Sequence, residues 1–173
     1  MEVIHVAIEP ASYQVLLKDG PFEIRLYEPM VIVTCRETDV DRGDGFNRLF
    51  SYISGSNQAS LRIAMTAPVI NYFEDPQSTT SFVMPRQYQL QDLPQPNDPT
   101  LQLREFGKRH VAAVIFSGKI NSRVIDQKTT ELQGWLREKN KITAGNIALA
   151  RYNPPFIPGF IQRNEIMIEI QAE

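Results

Sequence analysis

The chain has 173 residues, 42% of them hydrophobic and 22% charged, with a formal net charge of −2. That length suffices for one domain with a real core, and the charge offers no attraction for nucleic acid, since no Lys/Arg block creates one locally. No run approaches the ~18 apolar residues of a membrane span. The opening "MEVIHVAIEPASYQV" lacks the parts of a signal peptide, so a cytoplasmic location is the expectation.

A single cysteine, Cys35, excludes an internal disulfide and any multi-cysteine metal site. Its setting, "MVIVTCRET", reads as a strand, and a cysteine there is a buried small hydrophobe.

In chain order, "FEIRLYE" (22–28) and the run 30–38 are strands separated by little more than Pro29. "GDGFNRLFSYISG" (43–55) puts Phe46, Leu49, Phe50 and Ile53 on one helical face, with Asp44 at its start and Gly55 at its end. Two strands follow in 61–73 and 80–85, then a polar, proline-rich connector over 85–99. Beyond it, 101–106 and 110–118 are strands. The run 121–140 is a helix capped by Asn121 or Ser122, with Ile125, Thr129, Leu132 and Leu136 on one side. Strands at 145–152 and 165–170 complete the chain.

Strand–strand–helix–strand–strand thus occurs twice, over about 22–85 and 101–170. Val31-Ile32-Val33 answers to Val111-Ala112-Ala113, Ile63-Ala64-Met65 to Ile147-Ala148-Leu149, and Phe82-Val83-Met84 to Ile166-Met167-Ile168. Two copies are too few for a solenoid. A single α+β domain over 1–173 is expected, its halves joining into one strongly twisted or barrel-like antiparallel sheet carrying a helix from each.

No nucleophile elbow, phosphate loop, dinucleotide fingerprint or zinc-protease motif occurs, and no enzyme emerges. His5 and His110 are isolated and make no zinc site, although a lone histidine can serve haem iron. Glu23, Glu28, Glu37, Glu105 and Glu131 are scattered and read as solvated. The stretch that calls for explanation is "RYNPPFIPGFIQRNEI" (151–166). Pro154, Pro155 and Pro158 fix φ and remove donors. The stiff loop either plugs an open end of the sheet with Phe156 and Phe160 or forms the wall of a binding cleft.

Three blocks, "YISGSNQASLRIAMTAPV" (52–69), "SFVMP" (81–85) and "RYNPPFIPGFIQRNEIMIEI" (151–170), resemble the signature segments of the SOUL haem-binding family, and the remaining elements follow in the family's order from about Tyr13 to Ile170. The resemblance implies a distorted antiparallel β-barrel flanked by two helices. It also implies binding of haem or another planar tetrapyrrole in a shallow apolar groove between the first helix and the proline-rich loop, for buffering or transport. Carried onto this chain, the groove residues are Phe46, Leu49, Phe50, Ile53, Met65, Tyr152, Phe156, Ile157 and Phe160, with Arg48 and Arg163 as cations for the propionates. Arg163 has a competing role, bracing the loop through Glu165.

Some family members carry a strand histidine where this chain has Leu26, which leaves the iron ligand open among His110, Met65 and a tyrosine. The resemblance also covers an effector- or drug-binding module on the same scaffold, with a protein partner if it acts as a sensor. A tetrapyrrole-modifying enzyme is the least supported reading.

Overall fold

The computed structural model describes residues 8–37, 44–74, 77–154 and 156–172; His5 and Pro155 lie outside them. The described elements are β1 (Glu9–Pro10), β2 (Tyr13–Asp19), β3 (Phe22–Tyr27), β4 (Met30–Glu37), α1 (Asp44–Ile53), β5 (Thr66–Ala67), β6 (Val69–Glu74), β7 (Gln77–Val83), β8 (Leu101–Phe106), β9 (Arg109–Phe116), α2 (Ser122–Glu138), β10 (Thr143–Arg151) and β11 (Asn164–Ile170). β1 and β5 form a short parallel ladder. The other nine strands make one antiparallel sheet in the order β2-β3-β9-β11-β10-β6-β7-β4-β8. No helix among the described residues is long and apolar enough to cross a membrane.

The class is α+β, as expected, but the sheet is open: β2 and β8 are its two edges, and no ladder joins them. Curvature replaces closure. Residues 28–29 link β3 to β4, which stand six strand spacings apart in the sheet. Flat, that separation would be roughly 29 Å, whereas the link from Tyr27 to Met30 reaches only about 11 Å. Residues 107–108 impose the same condition on β8 and β9. The sheet therefore curls with its helix-free face inward. Ile32 and Val83 of the first half meet Val111, Ala113 and Met167 of the second in one buried cluster.

Apart from the edge strand β2, the strand order reads the same from either end if β3, β4, β6 and β7 are matched to β8, β9, β10 and β11. The helix-facing side chains give the register. Val31, Val33 and Cys35 pack under α1, while Ala112, Val114 and Phe116 pack under α2. Val31 thus corresponds to Ala112 and not to Val111. The expected alignment was one residue out, a slip that exchanges the faces of a strand. The match of Phe82 and Met84 with Ile166 and Ile168 agrees with the clusters. Residues 61–65 form no strand; the counterpart of β10 is β6, which starts after the cis Ala67–Pro68 peptide.

α2 forms where its apolar spacing predicts. The Asn121 side chain accepts from the Val124 amide at 3.0 Å as N-cap, and Leu132, Trp135 and Leu136 are buried. Trp135 stacks on Phe22 with centroids 5.0 Å apart and donates its Nε1–H to Asp19 at 2.9 Å. That contact also ties down β2, whose hairpin with β3 turns at Gly20 in the left-handed region (φ +56°) that glycine adopts freely.

A candidate ligand groove between α1 and the proline-rich loop

The apolar face of α1 divides into two. Leu49 and Ile53, with Tyr52, are buried against Val33, Phe82 and Leu101, so their role is core packing; each such side chain contributes about 1.5–3 kcal/mol. Phe46 and Phe50 lie on the flank, 39% and 50% exposed, with their rings stacked 6.2 Å apart. Phe46 also meets Phe82 edge-on at 5.1 Å. Met65 is half-buried against the same cluster.

The loop after β10 is not a plug: Phe156 and Phe160 are 81% and 80% exposed. It is nonetheless braced. The Gly118 amide donates to the Gly159 carbonyl at 2.8 Å, the Gln162 side-chain amide donates to the Ile157 carbonyl at 2.6 Å, and the Arg163 amide donates to Asn153 Oδ1 at 2.7 Å. A short 3₁₀ turn covers Gly159–Ile161. Ile157, two residues before that turn, is half-buried.

Three strands bring loop and helix to the same place. Arg151, at the root of the loop, pairs with Val69, and Val69 pairs with Phe82, on which Phe46 rests. Directly opposed residues share a face, so all three lie on the helix-bearing side. Two strand spacings, about 10 Å, separate Arg151 from Phe82. Val69 and Arg151 thus lie on one face between α1, with its aromatic pair, and the root of the loop, which makes this stretch the candidate groove.

Arg151 was not anticipated from the sequence, where it is one arginine beginning a proline-rich run. Its Nη2 donates to Asn71 Oδ1 at 2.8 Å, but Nε is buried without a partner. Among the described residues it forms no ion pair. Burial disfavours its charged form, with Glu37 partly compensating from beyond ion-pair range. Glu37 itself accepts from the Thr80 hydroxyl, which in turn accepts from Asn71. A half-buried cation in that condition gains from an incoming carboxylate.

The two arginines expected from the sequence are already engaged. Arg48 forms a two-pronged pair with Asp98 at 2.8 and 3.0 Å, fastening α1 to the connector. Arg163 sits on the opposite face of the sheet. It contacts Glu165 Oε1 through Nε at 3.0 Å and Nη2 at 2.6 Å, donates to the Tyr13 hydroxyl at 3.0 Å, and covers the Tyr152 ring at 4.3 Å. These contacts brace the exit of the loop. Tyr152 belongs with Arg163, donating to Glu165 Oε2 at 3.0 Å.

The centre of that network is Arg25, fully buried, which holds Glu165 through two bonds of 2.7 and 2.9 Å and Glu23 through a third of 2.7 Å. Glu23 is thus buried, not solvated as its sequence context suggests. Burial pushes the Tyr27 hydroxyl up to about 12 and opposes ionisation of Glu165, but the hydrogen bonds and charge of Arg25, joined by Arg163, hold the Glu165 carboxyl below its ordinary value.

His110, the histidine candidate for iron, is poorly placed. His110 pairs with Leu26 and Ile170, while the loop adjoins Phe116 at the other end of the strand, about 20 Å away. Cys35 is fully buried, and burial pushes its thiol up, away from the thiolate that ligates iron. Among the described residues no group of three His, Cys, Asp or Glu could hold a metal.

A family model described as SOUL heme-binding protein matches residues 8–169. Heme-binding protein 2 of Mus musculus is 30% identical over 169 residues, covering 87% of this chain and 82% of that protein. Heme-binding protein 1 of Xenopus laevis is 28% identical over 161 residues, covering 86% and 84%. Among solved structures, the EcmrR C-terminal domain superposes with a TM-score of 0.66 at 10% identity, covering 93% of this chain and 99% of that one. SAV2435 bound to tetraphenylphosphonium gives 0.51 at 9% identity, covering 87% and 94%. At those identities the likeness is one of fold.

Proposed function

The chain belongs to the SOUL heme-binding protein family, and on that premise we propose that it binds haem or a related planar tetrapyrrole in the groove between α1 and the proline-rich loop. The reading rests on one observation above others: α1 and the loop each carry exposed aromatic side chains, and the half-buried Arg151 at the loop's root has no anion among the described residues. A porphyrin is an apolar plate with two carboxylates. Phe46 and Phe50 would cover one part of the plate and Phe156 and Phe160 another, while Arg151 takes a propionate. The loop's prolines keep the cost of ordering it low. Leu49, Ile53 and Met65 support the α1 wall from beneath, Ile157 supports the loop, and Arg48, Tyr152 and Arg163 hold the framework.

Buffering or carriage of the ligand is the role that an open groove suits. We take residues 1–173 to act as one binding unit, with a cytoplasmic setting and a protein partner as further expectations. A second reading, a module for a flat apolar molecule other than haem, is favoured by the distance of His110 from the groove.

Arg151→Gln tests the proposal. It is expected to weaken porphyrin binding about tenfold, the loss of one charge-assisted hydrogen bond. Unchanged affinity would move the site elsewhere.

A further inference from the structure

The groove uses the helix-bearing face of β6 and β10. The inward face of the same two strands lines a different pocket, of about 150 Å³. Its walls include Tyr27, Tyr72, Phe106, Met30, Met167 and Ala148, with Thr34, Thr79 and Asn146 among the polar ones. That volume is far below a porphyrin but matches one aromatic ring, since an apolar cavity of about 150 Å³ accepts benzene. Arg109 also lines it. Its guanidinium lies over the Phe106 ring at 4.0 Å, its Nε is buried with no partner, and its Nη2 reaches the Tyr72 hydroxyl only at 3.4 Å. Among the described residues no carboxylate pairs with it. Glu74 and Glu169 line the same pocket, as does Arg104.

We propose that this pocket is a second, independent ligand site for a small single-ring aromatic carboxylate. The ring packs among Tyr72, Phe106 and Met167, and the carboxylate meets the outer nitrogens of Arg109. Aromatic walls supply contact area, and the unneutralised guanidinium supplies the reason for an anion. Glu74 and Glu169 oppose a second negative charge, so the pocket takes monoanions in preference to dianions.

The test is a titration of the full chain, labelled with ¹³C at its methionine methyls, with 3-phenylpropionate. Met30 and Met167 line the pocket, whereas Met84 is buried in the α1 cluster and serves as the internal control. Saturable shifts of Met30 and Met167 at about 0.1–1 mM ligand are expected. The neutral 3-phenylpropanamide and Arg109→Gln should each weaken the response about tenfold, and the dianion benzylmalonate should bind less well than the monoacid. Ala148→Leu, which fills the pocket but keeps Arg109, should abolish binding with Met84 unmoved. Saturating protoporphyrin should leave the response intact. No shift at Met30 and Met167, equal binding of acid and amide, tighter binding of benzylmalonate, or displacement by protoporphyrin would overturn the proposal.

Discussion

Glu165 has no solvent exposure, and its carboxylate is held by Arg25, Arg163 and Tyr152. Removing one partner from such a pair leaves an uncompensated buried charge, so Glu165→Gln should cost about 3–5 kcal/mol at neutral pH, read by urea denaturation. The pH dependence has a definite sign. Because the folded carboxyl lies below its ordinary value, its contribution is complete above the unfolded value of about 4.3 and is lost as pH falls through the folded one. The gap between wild type and variant should therefore narrow below pH ~4; a constant gap would remove the charge from the explanation. Arg48 contrasts with this. Its pair with Asp98 is partly exposed, so Arg48→Ala should cost no more than about 1 kcal/mol and leave ligand affinity unchanged. A tenfold loss of affinity would return Arg48 to the site.

At the scale of elements, the segment after α1 is held by one side chain. Asn57, 2% exposed, donates to the carbonyls of Tyr52 and Leu61 and accepts from the amides of Ala59 and Leu61. Asn57→Ala would strand several of these groups and should cost about 3 kcal/mol, visible in the melting temperature; a cost below about 1 kcal/mol would mean that water replaces the side chain. The loop behaves oppositely. With Phe156 and Phe160 exposed, changing both to alanine should leave the melting temperature within about 2 °C of wild type while weakening ligand binding. A large loss of stability would restore the plug.

Helices and most strands were legible because their spacing is strong: Leu132 and Leu136 on α2, Val31 and Val33 on β4. β2 was missed, although Asp19-Gly20 ahead of Phe22 is a hairpin signal. Its side chains are largely exposed, and no alternation announces a strand. Trp135 and Tyr52 were missed as core residues because their polar atoms disguise their burial, each finding a partner in Asp19 and the Pro94 carbonyl. The apolar residues of the proposed site, Phe46, Phe50, Phe156 and Phe160, were legible as types. Their division from Leu49 and Ile53 was not, since helical spacing alone does not say where the flank of a buried face lies. The cations could not be read at all: whether Arg48, Arg151 or Arg163 is free depends on Asp98, Asn71 and Glu165, which only the fold brings near.

Over the whole molecule, one curled sheet serves two faces. The outer face carries both helices and the proposed groove, and the inner face carries the Arg25–Glu165 network and the Arg109 pocket. The sheet's two halves meet at β6 and β10, and both proposed sites touch those strands. The proposed recognition gives iron no part: His110 stands at the far end of β9 from the loop, and Cys35 is sealed in the core. The most direct measurement is an absorbance titration of the purified protein with haem and, in parallel, with iron-free protoporphyrin. The account predicts saturable binding of both with affinities within about threefold of each other, roughly 0.7 kcal/mol, and a similar loss for both in Arg151→Gln. Binding of haem alone, with a sharpened and shifted Soret band, would mean that iron is ligated, by Met65 or a tyrosine, and would contradict it.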